Sequence, residues 1–242
     1  MRLRTLIIRC LLVGCGLALS IPLRAALHIV EATNAPISPP IYHGLSQHAA
    51  FVERAKAGGI DILFIGDSLV DYLQGEPIWE TYRQHNGACF GVPGDTSDGL
   101  LWRIRNGELD GISPQAIILW IGSNDCEAAR PIDGVVSNIR QALAEIRSRC
   151  PKSRVLLLAI IPRGPAASEV RRRIELVDAQ LPGVAMAAGA NYLDASEIFA
   201  RHGEALSVDL MPDMVHPSPK GYRLLNERLL PLVRGMSWGA MR

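Results

Sequence analysis

The clearest pattern along the chain is a series of short, continuous runs of apolar residues. These runs span residues 60–65, 88–92, 116–121, 155–161 and 191–193. Apolar runs of this length, without regular polar alternation, are typical of strands that are buried on both faces. The sequence therefore predicts five strands of a parallel sheet.

Stretches with helical periodicity separate these runs. In residues 133–149, apolar side chains recur every three or four positions, at Val136, Ile139, Leu143 and Ile146. This spacing places them on one face of a helix. Further helices are predicted over residues 47–57, 97–105, 168–181 and 219–233. Alternating strands and helices imply right-handed crossovers, so the predicted fold class is an α/β domain with three layers, an α/β/α sandwich.

The first 25 residues have the layout of a secretory signal peptide. Arginines precede an apolar run over residues 10–21, and a short polar step leads to Ala26. The run is shorter than the roughly 20 apolar residues of a membrane-spanning helix, so no stable transmembrane anchor is expected. We expect cleavage after Ala25, with Ala18-Leu19-Ser20 as another site, and an exported protein, periplasmic or secreted. Residues 26–242 would form a single domain with an irregular lead-in over residues 26–45.

A second form of export stays open at the same segment. Leu12-Val13-Gly14-Cys15 resembles a bacterial lipobox, which would make the protein a lipoprotein anchored through Cys15. Residues 16–23 stay apolar where a polar tether would be expected, and this favours simple cleavage.

Composition and charge narrow the class of protein. A chain of 242 residues, 48% hydrophobic and 20% charged, fits one globular domain. Loss of residues 1–25 removes four arginines and leaves 21 basic against 24 acidic residues, a formal net charge of −3. A basic surface for nucleic acid is therefore absent from the expected mature chain, and no nucleic-acid partner is predicted.

Three cysteines remain after the signal segment: Cys89, Cys126 and Cys150. Export would permit one internal disulfide, and the sequence does not choose between the pairs. Three small buried apolar residues are an equally good interpretation.

Ser68 is the first candidate for chemistry. It stands in Gly66-Asp67-Ser68-Leu69, directly after the first predicted strand. The carboxyl ends of strands are where open α/β sheets bind ligands. A serine at this point could equally be a helix N-cap, since Asp71 three residues later imitates a capping box.

The next two strands end in similar polar, glycine-containing turns. Gly91-Val92-Pro93-Gly94-Asp95-Thr96 follows the second strand, and Gly122-Ser123-Asn124-Asp125 follows the third. Glycine alone would be explained by tight turns. Tight turns do not explain Asn124. An ester hydrolase, however, needs hydrogen-bond donors for the oxyanion of its tetrahedral intermediate. The backbone N–H groups of Ser68 and Gly94 and the side-chain amide of Asn124 are the candidate oxyanion hole.

The fourth block is Asp213-Met214-Val215-His216-Pro217, just before the last predicted helix. An aspartate three residues before a histidine can bond the imidazole Nδ1–H and leave Nε2 free to accept a proton from a serine. Ser68, Asp213 and His216 are therefore the predicted catalytic residues. The segment 66–70 lacks the second glycine of the G-x-S-x-G elbow, and the histidines lack H-E-x-x-H spacing, so neither an α/β-hydrolase nor a metal site is expected.

With these blocks the sequence resembles the SGNH (GDSL) hydrolase superfamily. Ser68, Gly94, Asn124 and His216 match its four named residues in order, and Asp213 matches the usual acid. Within the superfamily it resembles the family of platelet-activating-factor acetylhydrolase type Ib catalytic subunits, over residues 46–232. The shared blocks are Phe64-Ile65-Gly66-Asp67-Ser68, Gly94-Asp95-Thr96, Leu101-Trp102-Arg103, Asn106-Gly107-Glu108-Leu109 and Pro162-Arg163-Gly164.

The resemblance implies a flavodoxin-like sheet and hydrolysis of small acyl esters without a metal or other cofactor, and it leaves a homodimer open. Pro93 departs from the family pattern, which usually has glycine there, and this removes one backbone donor beside Gly94. The export signal is foreign to the intracellular relatives, so their natural substrate is not carried over.

Three functions are therefore weighed. The first is a serine esterase that hydrolyses acetyl-type, short-acyl carboxylic esters. The second uses the same residues on another ester, as a cell-surface glycan O-acetyl esterase or acyltransferase, or as a lysophospholipase or thioesterase-type lipase. The third is a binding module that has lost its chemistry, and the intact set of five site residues argues against it.

Overall fold

A five-stranded, all-parallel sheet forms the centre of the protein. The structure, a computed structural model, describes residues 42–237. The predicted signal peptide, Cys15 and most of the lead-in lie outside the described residues. The strands are β1 (Ile62–Gly66), β2 (Gly87–Gly91), β3 (Ala116–Trp120), β4 (Arg154–Leu158) and β5 (Asn191–Leu193). Their order across the sheet is β2-β1-β3-β4-β5, which confirms the parallel α/β prediction.

Nine α-helices lie within the described part of the chain. They are α1 (Tyr42–Lys56), α2 (Ser68–Leu73), α3 (Trp79–Arg83), α4 (Ser97–Arg103), α5 (Ser123–Glu127), α6 (Ile132–Arg149), α7 (Glu169–Asp178), α8 (Leu181–Ala187) and α9 (Pro219–Ser237). A π-type turn, Ile104–Glu108, follows α4, and a 3-10 turn, Ser196–Ile198, follows β5. None of the helices between residues 42 and 237 combines the length and hydrophobicity needed to cross a bilayer.

The helices cover both faces of the sheet, as three layers require. Leu63 and Ile65 of β1 join the hydrophobic cluster formed with α1, α4, α6, α7 and α8. Ile62 and Phe64, which alternate with them, join the cluster formed with α2, α3 and α9. Every residue of β1 is buried, which explains why its sequence is uniformly apolar.

The helix predicted over residues 133–149 is confirmed as α6, and its four periodic apolar residues are all buried. The observed ends of some other helices and strands differ from the predicted ends, for local reasons. The helix predicted over 168–181 ends at Asp178, and a separate helix follows with Pro182 in its first turn, where the missing N–H of proline is tolerated. The strand predicted over 155–161 ends at Leu158 because its partner β5 is only three residues long. The first helix begins at Tyr42, so residues 42–45 of the predicted irregular lead-in are helical.

The topology determines where polar loops can meet. The chain passes from β1 to β2 on one side and then returns to place β3 on the other side of β1. The loops after β1, β2 and β3 therefore surround one point at the carboxyl edge of the sheet. This reversal of strand order is where doubly wound sheets form their binding crevices.

Candidate functional site

Ser68 lies in the first turn of α2, immediately beyond β1. The N-cap of this helix is Asp67, whose side chain accepts a hydrogen bond of 2.9 Å from the backbone N–H of Leu69. The alternative that Ser68 is itself the capping residue is therefore wrong. The Ser68 side chain instead bonds the imidazole of His216, with 3.0 Å between Oγ and Nε2. Ser68 is 7% exposed.

His216 is held by Asp213 in the loop before α9. Its Nδ1 lies 2.7 Å from Asp213 Oδ2, while the other carboxylate oxygen accepts the backbone N–H groups of Val215 at 2.9 Å and of His216 at 2.7 Å. This compact loop places Met214 at a positive φ of 62°. The structure thus brings all three predicted catalytic residues into one hydrogen-bonded series.

The electrostatics of Asp213 follow from these bonds. Partial burial raises the pKa of the carboxyl, but the backbone and side-chain hydrogen bonds from His216, together with the Val215 N–H, bring the pKa down to about 2. Asp213 is therefore a carboxylate at any pH near neutrality, and it can accept the imidazole Nδ1–H.

The loop after β2 is a tight turn with Pro93 and Gly94 at its centre. The backbone N–H of Asp95 donates to Val92 O at 3.0 Å, and Gly94 has a φ of +78°. A proline followed by a residue with positive φ fits a type II turn, so Pro93 suits this geometry. The hydrogen bond that closes the turn uses the Asp95 N–H and leaves the Gly94 N–H outside it.

Asn124 lies in the first turn of α5, next to that loop. Its Nδ2 donates a hydrogen bond of 2.8 Å to the backbone carbonyl of Asp95. A primary amide has two N–H groups, so one of them links the two loops and a second is left. Gly122, at φ +118°, caps the helix, and a Cβ there would come within 2.7 Å of Ile160 Cδ1.

A buried arginine that received no role from the sequence joins the strand ends. Arg103 is fully buried, and its guanidinium donates to Asp95 Oδ2 at 2.8 Å, Glu108 Oε2 at 2.5 Å and Gly66 O at 3.1 Å. It therefore contacts both the strand that leads to Ser68 and the residue after Gly94. The only signal in the sequence was its place in the shared blocks Leu101-Trp102-Arg103 and Asn106-Gly107-Glu108-Leu109.

Two buried carboxyl groups beside the site were also missed. Burial raises the pKa of Asp67 to about 7, against the lowering effect of the Leu69 N–H, and its Oδ2 has no hydrogen-bond partner among residues 42–237. Burial likewise raises the pKa of Asp125 to about 6, although Asp125 accepts two bonds from Ser97. Helix capping accounts for one oxygen of Asp67, and the bonds to Ser97 account for Asp125.

The cysteines play no part in this arrangement. Cys89, Cys126 and Cys150 are all buried and free in the structure. Burial raises the pKa of the Cys89 and Cys126 thiols to about 12, which makes them unreactive. Of the two interpretations left open by the sequence, the structure shows the three as separate buried residues.

Other possible sites would lie outside the hydrogen-bonded series of Ser68, His216 and Asp213. Across residues 42–237 no group of histidine, cysteine and acidic side chains is placed to hold a metal ion. A cavity of about 540 Å³ lies beside β4 and β5, lined in part by Asp178, Tyr192 and Asp194, and it includes none of the three residues bonded in series.

Comparison with known proteins agrees with this arrangement. The sequence model of the GDSL-like lipase/acylhydrolase family matches residues 64–224, from the strand before Ser68 to the helix after His216. The chain belongs to this family. The platelet-activating factor acetylhydrolase IB subunit alpha2 of Homo sapiens is 33% identical over 192 residues, which cover 78% of this chain and 82% of that protein. The alpha1 subunit of Bos taurus is 34% identical over 198 residues, with 78% and 83% covered.

Solved structures of the GDSL family share the fold. A GDSL-like lipase from Bacteroides thetaiotaomicron superposes with a TM-score of 0.61 at 18% identity, covering 87% of this chain and 97% of that one. The acetylxylan esterase Axe2 from Geobacillus stearothermophilus superposes with a TM-score of 0.57 at 19% identity, covering 72% and 94%. These structures support the SGNH α/β fold, while the family match and the acetylhydrolase relatives show that the chain is a carboxylic ester hydrolase.

Proposed function

We propose that the protein is a serine esterase for short-acyl, acetyl-type carboxylic esters, with Ser68, His216 and Asp213 as its catalytic triad. The observation that carries the proposal is the unbroken series from Ser68 Oγ to His216 Nε2 at 3.0 Å and from His216 Nδ1 to Asp213 Oδ2 at 2.7 Å. A nucleophile, a base and a group that orients the base are thus within hydrogen-bond reach of one another.

The reaction follows from these contacts. Ser68 Oγ attacks the ester carbonyl carbon while its proton passes to His216 Nε2, and Asp213 stabilises the imidazolium. Collapse of the tetrahedral intermediate breaks the bond to the alcohol, which leaves with the proton from His216. A water molecule then attacks the acyl-serine, with His216 again accepting a proton, and the carboxylic acid and free Ser68 are released.

The oxyanion hole is proposed to consist of the Ser68 and Gly94 backbone N–H groups and the Asn124 amide. Ser68 begins α2, where the first backbone N–H groups of a helix have no intrahelical partner. The Gly94 N–H lies outside the hydrogen bond of its turn, and Asn124 has one N–H besides the bond to Asp95. All three donors would act on the charge that develops on the carbonyl oxygen.

The acetyl preference is supported by the relatives. The acetylhydrolase subunits are named for acetyl esters. The acetylxylan esterase, whose likeness to this chain is in the fold alone, is also named for an acetyl ester. Purified protein assayed with p-nitrophenyl acetate, butyrate, octanoate and palmitate should show kcat/KM falling with acyl length. An optimum at octanoate or longer would overturn the short-acyl proposal in favour of a lipase. Faster release of acetate from an acetylated glycan, or transfer of acetyl to sugar in preference to water, would favour the glycan alternatives.

The nucleophile can be tested directly. A serine-directed fluorophosphonate probe should label the wild-type protein and fail to label Ser68→Ala. Ser196→Ala is a suitable control, because Ser196 is half-buried and, among residues 42–237, its hydroxyl bonds Asp194 rather than a histidine. Equal labelling of Ser68→Ala and the wild type would remove Ser68 as the nucleophile, and absence of labelling in the wild type would revive the binding-module function.

We also propose export, on the strength of the arginine-flanked apolar run in residues 2–21. Protein recovered from its host should lack about the first 25 residues. A diacylglyceryl group on Cys15 would instead establish the lipoprotein form, and an intact Met1 would count against both. The homodimer stays a prediction from the resemblance, to be tested by sedimentation equilibrium.

A further inference from the structure

The side-chain amide of Asn124 is contacted from two sides by two different loops. On one side its Nδ2 donates to the carbonyl of Asp95, in the loop after β2, at 2.8 Å. On the other side its Oδ1 faces Nη1 of Arg163, in the loop after β4, at 3.4 Å. A carbonyl beside the nitrogen and a cation beside the oxygen favour the same orientation of the amide and oppose its flip.

Arg163 is held in place by further contacts. Its Nη1 lies 3.3 Å from Ser123 Oγ and its Nε 3.4 Å from Glu127 Oε2, and its side chain is only 13% exposed. These distances are long for charge-assisted hydrogen bonds, so the guanidinium acts on the amide mainly through charge–dipole attraction. Partial burial strengthens such attraction because less water screens it.

The backbone around Arg163 is fixed by a second arginine. Arg171 of α7 is 3% exposed and donates to the carbonyls of Arg163 at 3.4 Å and Gly164 at 2.9 Å. The Gly164 N–H in turn donates to Met214 O at 2.9 Å, inside the loop that carries Asp213 and His216. One short segment therefore contacts both Asn124 and the triad loop.

We propose that Arg163 is a positioning residue, which holds the Asn124 amide with its second N–H directed at the oxyanion formed on Ser68. The inference rests on the proposed function, in which Asn124 is an oxyanion donor. Without the guanidinium only the Asp95 carbonyl would oppose the flip, and a flipped amide would present Oδ1, a partial negative charge, to the developing oxyanion. Arg163 would then affect kcat through Asn124 and leave substrate binding nearly unchanged.

The test is a double-mutant cycle between Arg163→Met and Asn124→Ala, assayed with p-nitrophenyl acetate. Misplacement of one catalytic group can cost up to about a hundredfold, so we expect Arg163→Met to lower kcat about ten- to hundredfold and to change KM less than about threefold. In the Asn124→Ala background the same change should lower kcat by less than about twofold, since the amide it positions is gone. Arg163→Lys keeps the charge and should recover part of the lost kcat.

Arg105→Met is the matched control, because the Arg105 side chain binds Glu145 and Gln141 on α6. The kcat of this variant should stay at the wild-type value. Equal losses from Arg163→Met in the wild-type and Asn124→Ala backgrounds would overturn the inference. So would a lowered melting temperature with normal kcat. A normal kcat for Asn124→Ala alone would overturn the proposed oxyanion hole as well, whereas a slow Asn124→Ala beside a normal Arg163→Met would overturn only the role of Arg163.

Discussion

Ser68 Oγ lies 3.0 Å from His216 Nε2, although 148 positions of sequence separate the two residues. Ser68 is placed by the end of β1, and His216 by a loop that leads into α9. The two parts are joined close to the site, because the hydroxyl of Tyr222 in α9 donates to Leu69 O in α2 at 2.9 Å. The distance between the nucleophile and the base therefore depends on how α9 packs against α2.

The first prediction concerns Asp213, whose pKa of about 2 keeps it ionised throughout the working pH range. The pH profile of kcat/KM should therefore show no titration from Asp213 above about pH 3. Asp213→Asn should lower kcat by roughly a thousand- to ten-thousandfold, because the amide favours the wrong imidazole tautomer. Asp209→Asn is the control, since Asp209 is exposed and its carboxylate pairs with Lys220 at 3.6 Å. A kcat for Asp213→Asn close to that of Asp209→Asn would argue against Asp213 as the residue that orients His216.

A second prediction concerns the buried charges of Arg103. Its guanidinium and the carboxylates of Asp95 and Glu108 are all essentially buried, so its removal leaves both carboxylates without their arginine, although Glu108 keeps its contact with His48. Arg103→Met should lower the free energy of unfolding by about 3–5 kcal/mol. Arg83→Met, which breaks an exposed pair with Glu80, should change it by less than about 1 kcal/mol. Urea unfolding of both variants gives the comparison, and similar small losses would show that the buried network contributes little.

Asp67 gives a prediction about pH and stability. Its pKa is about 7 in the folded protein and 3.8 in a model peptide, so the folded state retains a proton that the unfolded state releases between these values. Its contribution to stability is full below about pH 4 and is lost as the pH rises to about 7. Relative to Asp67→Asn, the wild type should therefore lose roughly 3–4 kcal/mol over this range. Because Asp125 is present in both proteins, the comparison removes its own contribution to the pH dependence of stability. A constant difference from pH 4 to 8 would show that Asp67 is ionised throughout.

The sequence was sufficient to predict the sheet, and it named five candidate site residues whose roles stay a prediction. Strands buried on both faces have continuous apolar sequences, which makes them recognisable. Parallel strands place the residues that follow them at one edge of the sheet, so Ser68, Gly94 and Asn124 could be expected near one another from the sequence. The four helices α2, α3, α5 and α8 were not predicted because each has five to seven residues, too few for periodicity to be recognised. The equally short α4 was predicted because the π-type turn that follows it lengthens the helical stretch to Glu108.

The supporting contacts could not be predicted for a different reason. Whether an arginine such as Arg103 turns into the core or into solvent depends on side-chain directions around a π-type turn, which no period in the sequence records. The contact between Arg163 and Asn124 likewise depends on how far the loop after β4 reaches across the end of β3. Both arginines stood in blocks shared with the acetylhydrolase family, but a shared block does not state what its side chains touch.

The last prediction concerns Asn124, whose side-chain amide is proposed to have two roles. One N–H braces the loops through Asp95 O at 2.8 Å, and the other is proposed to stabilise the oxyanion. Asn124→Ala should therefore lower kcat by about a hundred- to a thousandfold with KM little changed, because the oxyanion exists only in the transition state. The lost brace should lower the free energy of unfolding by only about 1 kcal/mol.

Asn138→Ala separates the two effects, since the Asn138 amide also joins neighbouring segments, through Ser97 Oγ at 3.1 Å, but stands outside the oxyanion hole. Its stability loss should resemble that of Asn124→Ala, while its kcat should stay within about threefold of the wild type. If Asn124→Ala instead kept near-normal kcat and merely melted at a lower temperature, the amide would be a structural brace. The oxyanion would then have only the two backbone donors, and the SGNH mechanism proposed for this chain would lose its third donor.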